Sequence, residues 1–382
     1  MIRRLFCAAL LFSWADRCVA AEPVWIDTDV SIGSPLREVD DAFALVLAFH
    51  SRELRVTGIS TSYGNAPLSY VDRVAREMTT RFGPSANLSE RNVFSGSRSA
   101  RDLGRATAAS NALASVLRKQ RLTYIAIGPL TNLGTVLQLH PELAHRIKHV
   151  VFLGGTLAGE HLTFGRNNAL TIHDANVVKD KAAAAVVLRS GVPVVLVPIS
   201  TAGKLMVDAN DLTGVAAGGP AGAYLAKRSK VWLWFWQNLA RAEGGPLFDT
   251  VPVMATVKPH LVFSDTRYAS VEQDGTLFVS KKRTAFSRPV RYCPNLGSGI
   301  KAVLLRRLQE GPRKVPITTR FKITQITEPS AAAPGSRREP KIIDSTPFRT
   351  SPACAEVLHR TDHLRIGGDS TGSQTRCGCS PP

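Results

Sequence analysis

Short apolar runs alternate with amphipathic segments of helical spacing along most of this chain. The first run, Val24-Trp-Ile26, predicts a buried strand that ends at Asp27-Thr-Asp29. After a Gly- and Pro-containing loop, apolar residues recur at helical spacing behind Asp40 and Asp41. This predicts a helix whose first turn carries two acids, where the helix dipole favours negative charge. The start of the chain is therefore predicted to fold as strand, loop and helix.

The same unit is repeated further along the sequence. Strands are predicted at residues 54–60, 122–127, 150–153, 192–198, 262–263, 268–271 and 276–279. Helices are predicted at residues 68–82, 108–119, 130–139, 178–190, 221–241 and 300–308. Strands that alternate with helices indicate a mostly parallel sheet covered on both faces. We therefore predict a Rossmann-like α/β fold with one main domain over residues 22–315.

The two ends of the chain have a different composition. Residues 1–21 combine Arg3 and Arg4, an apolar run and small residues before Ala21, which is typical of a secretory signal peptide and predicts a periplasmic or secreted protein. No later stretch is long and apolar enough for a transmembrane segment. Residues 316–382 are rich in Pro, Ser, Thr, Gly and Arg, and we predict a disordered tail.

The basic excess changes the functional picture little. The chain has 48 Lys and Arg against 30 Asp and Glu, which gives a net charge of +18. Such a charge favours contact with polyanions. However, no stripe of Lys and Arg interleaved with aromatic residues is present, and the longest cluster is Lys281-Lys282-Arg283. A specific nucleic-acid partner is therefore not predicted.

Polar side chains follow the ends of the predicted strands. Ligands of open α/β sheets bind beyond the carboxyl ends of the strands, where Asp27, Asp29, Asp40 and Asp41 are expected to converge. A set of oxygen ligands favours a hard cation, Ca²⁺ or Mg²⁺. Asn65 would join this edge, or it is simply a turn residue after Gly64.

Seven short motifs occur in one order between residues 22 and 308. Together they resemble the nucleoside hydrolase family of the inosine-uridine preferring type. They are Asp27-Thr-Asp29, Asp40-Asp41-Ala42, Tyr63-Gly64-Asn65, Ile127-Gly-Pro-Leu-Thr-Asn132, Phe152-Leu-Gly-Gly155, Asn168 with Asp174-Ala-Asn176, and Phe248-Asp249. The resemblance implies a Rossmann-like α/β protein that binds Ca²⁺ and hydrolyses the N-glycosidic bond of ribonucleosides.

The resemblance also implies a role for each matching residue. Asp29 resembles a calcium ligand that acts as general base toward a calcium-bound water. The other implied calcium ligands are Asp41, Asp249 and the main-chain carbonyl of Ile127. The implied contacts to the ribonucleoside substrate come from Asp40, Asn65, Asn168, Asp174, Asn176 and Asp249. Capping of a helix alone would also explain Asp249. Family members are often homodimers or homotetramers.

The sequence departs from the family pattern at three positions. Ten residues, Val30 to Val39, separate Asp29 from Asp40, which corresponds to an insertion of seven. Asp174 replaces the usual glutamate. Phe248 stands where many members carry a histidine thought to protonate the leaving base, and phenylalanine cannot donate a proton. His161 and His173 are candidates for that role, or ordinary surface or packing residues.

Parts of the sequence also fit two other functions. The insertion and Phe248 are compatible with a calcium-dependent ribose- or nucleoside-binding protein that has lost turnover. The start Asp27-Thr-Asp29-Val30 also fits a haloacid-dehalogenase-like phosphatase, but Asp40-Asp41 follows too early for that family. The pocket for the base is expected around Tyr63, residues 95–105 and the aromatic run 232–236, although that aromatic run would also fit core packing.

Overall fold

The computed structural model describes residues 20–34, 37–84, 88–155, 157, 160, 162–272 and 277–311. The predicted signal peptide and C-terminal tail lie almost entirely outside these residues, so both stay predictions. Within the described residues, no helix combines the length and the apolar character needed to cross a membrane.

A nine-stranded sheet forms the centre of the protein. Its strands are β1 (Glu22–Thr28), β2 (Leu54–Thr61), β3 (Val93–Ser95), β4 (Leu122–Ala126), β5 (Ile147–Leu153), β8 (Val194–Val197), β11 (Val262–Val271), β12 (Leu277–Ser280) and β13 (Arg288–Leu296). The strand order is β12-β11-β13-β8-β5-β4-β1-β2-β3. Neighbouring strands from β13 to β3 are parallel, whereas β11 pairs antiparallel with both β12 and β13. Two small sheets pair β6 (Leu162–Phe164) with β7 (Leu170–Ile172), and β9 (Met206–Val207) with β10 (Gly245–Pro246).

Helices cover both faces of the sheet. They are α1 (Asp40–His50), α2 (Leu68–Phe82), α3 (Ala108–Lys119), α4 (Thr131–Leu139), α5 (Ala175–Lys179), α6 (Lys181–Arg189), α7 (Ile199–Ala202), α8 (Ala209–Ala217), α9 (Pro220–Arg228), α10 (Lys230–Trp234), α11 (Thr250–Val257) and α12 (Ile300–Glu310). Because side chains alternate along a strand, β1 contributes Val24 and Ile26 to one core cluster and Trp25 to the other. The predicted α/β fold with a mostly parallel sheet is confirmed.

Two predicted helices are interrupted. The predicted helix over residues 178–190 is divided at Asp180, whose side chain accepts a hydrogen bond from the main-chain nitrogen of Ala183 and so begins α6. The predicted helix over residues 221–241 is divided into α9, α10 and a π-helical turn, Phe235–Leu239. This turn ends with a bond from Ala240 N to Phe235 O, 3.0 Å long.

Some strands escaped the sequence pattern. β11 is one continuous strand where two short ones were predicted, and β13 was missed because Pro289, Pro294 and three arginine or polar positions hide its alternation. The hairpin of β6 and β7 was also missed, since its six strand residues lie in a segment that reads as a polar loop.

Candidate active site

The carboxyl ends of the central strands converge on one edge of the sheet. From β1 the chain continues to β2 and β3 on one side of β1 and then crosses to β4, which pairs with the other side of β1. This is the topological switch point at which open α/β sheets bind ligands. Asp29 follows β1, Asn65 follows β2 and Ile127 follows β4, so all three come to this edge.

Three carboxylates meet here although they are distant in sequence. Asp40, Asp41 and Asp249 each offer an oxygen atom, and these atoms lie within 4.8 Å of one another. The main-chain nitrogen of Asp249 donates to Asp40 Oδ2 at 3.3 Å. Asp41 Oδ1 accepts from Thr28 Oγ1 at 2.5 Å and from the main-chain nitrogen of Asp29 at 3.2 Å. These hydrogen bonds therefore join three parts of the chain at the cluster: the end of β1, the start of α1 and the start of α11.

The cluster carries more negative charge than its protein partners neutralise. Burial, opposed by hydrogen bonds from Asp249, raises the pKa of Asp40 to about 6. Burial and then the neighbouring carboxylates raise the pKa values of Asp41 and Asp249 well above their usual range. Asp40 Oδ1 and Asp249 Oδ1 are buried without a hydrogen-bond partner. Buried carboxylates with unpartnered oxygens fit a bound cation, because oxygen-only ligands suit a hard metal ion.

Asp29 lies beside this cluster and is held by its own set of donors. Its Oδ2 accepts from the main-chain nitrogen of Asn65 at 2.8 Å, and its Oδ1 accepts from Asn65 Nδ2 at 3.3 Å. A Cβ atom at Gly64 would lie 1.7 Å from Asp29 Oδ2, so the contact requires glycine there. Asn65 Nδ2 also donates to Asp41 Oδ2 at 3.2 Å. Asn65 thus links Asp29 to the cluster and is more than a turn residue.

A lysine that was not predicted also contacts Asp29. Lys179 Nζ lies 3.4 Å from Asp29 Oδ2 and 3.4 Å from Asn65 Oδ1. Burial raises the pKa of Asp29, and the positive charge of Lys179 opposes that rise. Lys179 is the last residue of α5, and the helix predicted over residues 178–190 gave no sign of this end.

An open cavity of about 190 Å³ borders the carboxylates. The cavity is lined by Glu38, Asp40, Asn65, Ile127, Leu153, Ile172, His173, Asp174, Ala175, Asn176, Ile199, Trp236, Phe248 and Asp249. Its lining therefore combines a polar part, made largely of acids and amides, with an aromatic and aliphatic part.

Two polar residues at the start of α5 are held against the backbone at the cavity. Asp174 Oδ2 accepts from Gly155 N at 2.6 Å, and its Oδ1 accepts from Val177 N at 3.3 Å, so Asp174 begins α5. Asn176 is buried, and its Nδ2 donates to Leu153 O at 3.2 Å. Both side chains are thereby fixed at the cavity wall.

Other expected site residues lie elsewhere. Asn168 is exposed at the turn between β6 and β7, has a left-handed backbone with φ 57° and does not line the cavity. Asp27 is buried and accepts from Ser60, Tyr124 and Asn132, so its oxygens are used within the sheet. The spacing of residues in a loop does not fix where its tip lies, which is why Asn168 departs from the expectation.

The predicted base pocket is also only partly realised. The Tyr63 hydroxyl donates to Lys179 O at 3.0 Å, and neither Tyr63 nor residues 95–105 line the cavity. From the aromatic run, Trp236 lines it. His173 is an exposed residue of the lining, and His161 lies outside the described residues.

Glu38 lines the cavity and was not predicted as a site residue. Its Oε2 accepts from Trp232 Nε1 at 2.7 Å. Burial of the carboxyl group, and then the negative charge of Asp40, raises the pKa of Glu38 to about 8. The residue as a whole is partly exposed. This combination is expected of a side chain that borders a cavity. An acid just before Asp40-Asp41 was the available sequence signal.

Buried acids and a cavity at the switch point of a mostly parallel α/β sheet form a candidate ligand-binding and metal-binding site. A model of the family described as inosine-uridine preferring nucleoside hydrolase matches residues 24–323. The chain belongs to this family and is an N-ribosyl hydrolase. The fold and the carboxylate cluster agree with that membership.

Curated relatives and solved structures resemble the chain over most of its described part. It is 28% identical over 267 residues to the pyrimidine-specific ribonucleoside hydrolase of Citrobacter koseri, covering 62% of this chain and 81% of the relative. A plant nucleoside hydrolase has a TM-score of 0.62 at 23% identity, covering 76% of this chain and 98% of that one. A purine-preferring ribonucleoside hydrolase from Gardnerella vaginalis has a TM-score of 0.61 at 20% identity, covering 76% and 97%. The structural likenesses establish the fold.

Proposed function

We propose that the protein hydrolyses the N-glycosidic bond of ribonucleosides to ribose and free base, with Ca²⁺ as cofactor and Asp29 as general base. One observation carries this proposal. Four buried carboxylates, Asp29, Asp40, Asp41 and Asp249, lie together beside an open cavity at the switch point of the sheet. Burying this much negative charge is costly unless a cation and a polar substrate use it.

The ion would be held by Asp29, Asp41, Asp249 and the main-chain carbonyl of Ile127. These groups offer oxygen atoms only, which favours Ca²⁺ over zinc or copper. The unpartnered Asp249 Oδ1 supports a ligand at this point. When bound, Ca²⁺ increases the acidity of nearby water and supplies positive charge for the hydroxyls of the ribose.

Asp29 accepts the proton of the attacking water. Asn65 holds both carboxylate oxygens of Asp29, at 2.8 and 3.3 Å, so the base cannot rotate away. Water forms a bond to C1′ of the ribose, the C1′–N bond breaks, and its electron pair leaves with the base. General-base assistance of this kind contributes about 10²–10⁴ in rate.

The ribose is bound by the polar part of the cavity lining. Asp40 and Asp249 supply negative charge close to the sugar, which stabilises the oxocarbenium-like state that develops as the bond breaks. Asp174 and Asn176, fixed to the backbone of β5 and α5, and Asn65 bind ribose hydroxyls. We do not include Asn168 in this set, because its side chain is exposed outside the cavity lining.

A second candidate is calcium-dependent binding of ribonucleosides without turnover. Phe248 favours it, because this buried residue lines the cavity and cannot protonate the departing base. Poor protonation of the departing base would slow the hydrolysis of natural nucleosides far more than that of a riboside with a stable leaving group.

Turnover of three substrates distinguishes the candidates. Purified protein is incubated with Ca²⁺ and inosine, uridine or p-nitrophenyl riboside, and the release of reducing sugar and of p-nitrophenolate is followed. We expect ribose release that is lost on chelation. Calorimetric binding of inosine with no ribose release from any of the three would reject the hydrolase and favour the binding protein.

A further inference from the structure

The loop between Asp29 and Asp40 is built into the protein at both of its ends. Val30, Ile32 and Val39 are buried in the core. The Ser31 hydroxyl donates to the main-chain oxygen of Glu38 at 3.1 Å, which ties the two ends of the loop together. The insertion therefore brings Glu38 to a defined position.

That position is the wall of the cavity next to an aromatic group. Trp232 Nε1 anchors Glu38 Oε2 at 2.7 Å, and no described residue donates a hydrogen bond of normal geometry to Oε1. Trp236 also lines the cavity, and its ring packs against Phe164 at 5.0 Å and Phe248 at 6.3 Å. A carboxyl group that is held by one oxygen leaves the other for a ligand.

Trp236 offers a second polar atom at the same place. The residue is 1% exposed, and its Nε1 has no partner of normal hydrogen-bond geometry, although the N–H is close enough to Glu38 to favour the charged carboxyl. Buried indole N–H groups usually have a hydrogen-bond partner. An indole N–H without a hydrogen bond of normal geometry, next to a carboxyl group and aromatic rings, is complementary to a planar heterocycle with polar edges.

We propose that Glu38 and the indole N–H of Trp236 bind the polar edge of the nucleobase. The insertion then supplies the contact to the leaving group that Phe248 cannot make. Asp40, Asp174 and Asn176 form the polar part of the cavity, which leaves the aromatic part with Glu38 and Trp236 for the base. This inference rests on the proposed function, and it assigns base recognition to a loop outside the family pattern.

The test uses Glu38→Met, which removes the polar atoms and keeps the length of the side chain, and Glu38→Gln, which keeps hydrogen-bonding atoms. In full-length protein with Ca²⁺, we expect Glu38→Met to lower kcat/KM for uridine and inosine about tenfold or more. For p-nitrophenyl riboside, whose leaving group needs no such contact, the change stays within about threefold. Glu38→Gln restores part of the loss, and Trp236→Phe reduces uridine and inosine turnover in the same selective way.

The matched control is Glu90→Met, which makes the same change at an exposed position on the first residue of a short helical turn. Glu90→Met should leave kcat/KM for all three substrates unchanged. If Glu38→Met lowers kcat/KM for p-nitrophenyl riboside as much as for uridine, Glu38 only supports the structure, and this result overturns the proposal. Unchanged uridine and inosine kinetics overturn it as well.

Binding of free uracil and hypoxanthine gives a readout that needs no turnover. We expect Glu38→Met to bind both bases at least about tenfold more weakly than the unaltered protein, measured by calorimetry. Equal affinity overturns the proposal. If the unaltered protein hydrolyses none of the ribosides, the proposed function fails, but this comparison still decides whether Glu38 binds the base.

Discussion

Replacement of Asp29 by asparagine tests the proposed general base with little change in shape. In the structure, Oδ2 accepts from Asn65 N and Lys179 Nζ, and Oδ1 accepts from Asn65 Nδ2 at 3.3 Å. The amide oxygen of asparagine can take the place of Oδ2 and keep the first two contacts. Its NH₂ group would then face another donor, so one long hydrogen bond is lost.

The stability of the ion-free protein should therefore change little or increase. The lost hydrogen bond to a carboxylate oxygen and the lost ion pair with Lys179 cost about 1–3 kcal/mol, which opposes the following gain. Removal of one of four buried acids relieves repulsion, because the charge of Asp29 raises the pKa values of Asp41 and Asp249. We expect the thermal midpoint of Asp29→Asn in chelator to equal or exceed that of the unaltered protein.

Turnover should respond quite differently. An amide cannot accept the proton of the attacking water, so kcat/KM for inosine, uridine and p-nitrophenyl riboside should fall by about 10²–10⁴. Ribose release is measured at saturating Ca²⁺, so that weaker ion binding does not imitate loss of the base. Asp208→Asn is the matched control, since Asp208 caps α8 outside the cavity lining and asparagine is an equally good cap. Activity of Asp29→Asn within tenfold of the control would refute Asp29 as the base.

The remaining predictions concern the ion, its competitor and the pH dependence of stability. Asp249→Ala should weaken both Ca²⁺ and nucleoside binding, because Asp249 contributes an oxygen to the cluster; unchanged calcium affinity by calorimetry would contradict this ligand. Lys179→Met should increase Ca²⁺ affinity about tenfold, since it removes a positive charge 3.4 Å from Asp29 Oδ2; equal affinity in Lys179→Met and in the surface control Lys204→Met would argue against that competition. Although burial opposes it, hydrogen bonds from Arg307 and Lys258 hold the pKa of Glu53 at about 2, below its usual 4.5. The resulting stabilisation is complete above pH 4.5 and is lost as the pH falls toward 2. Glu53→Gln should therefore reduce the free energy of unfolding by about 1 kcal/mol at pH 7 and have little effect near pH 2. An equal loss at both pH values would contradict the ion-pair explanation.

Part of the acidic cluster could be predicted by combining two sources of information. The periodicity of the sequence locates the strand and the helix, and ligand sites in open α/β sheets lie at the carboxyl ends of the strands. Asp29 follows a buried strand and Asp41 lies in the first turn of an apolar helix, so both had to come to the same edge of the sheet. Asp249 is 209 residues from Asp40 and was connected with it only through the family resemblance. Periodicity alone could not have joined them.

Glu38 and Lys179 were missed for separate physical reasons. Glu38 lies between Asp29 and Asp40, in the segment where the family resemblance gave no residue to match, and its contact with Trp232 spans 194 residues. Lys179 reaches Asp29 because Asp180 ends one helix and begins the next, a boundary that uninterrupted helical spacing concealed. Asn168 is the opposite case. Its residue type and its spacing match the family motif, but the residue lies on an exposed turn.

Calcium dependence of turnover is the most direct test of the central claim, which is that the buried carboxylates bind a divalent cation needed for cleavage of the ribosidic bond. The protein is treated with chelator, its calcium content is measured by elemental analysis, and ribose release is assayed as Ca²⁺ is added back. We predict no turnover by the ion-free protein and saturable recovery at one ion per chain. Full turnover by protein that contains no metal would contradict the account.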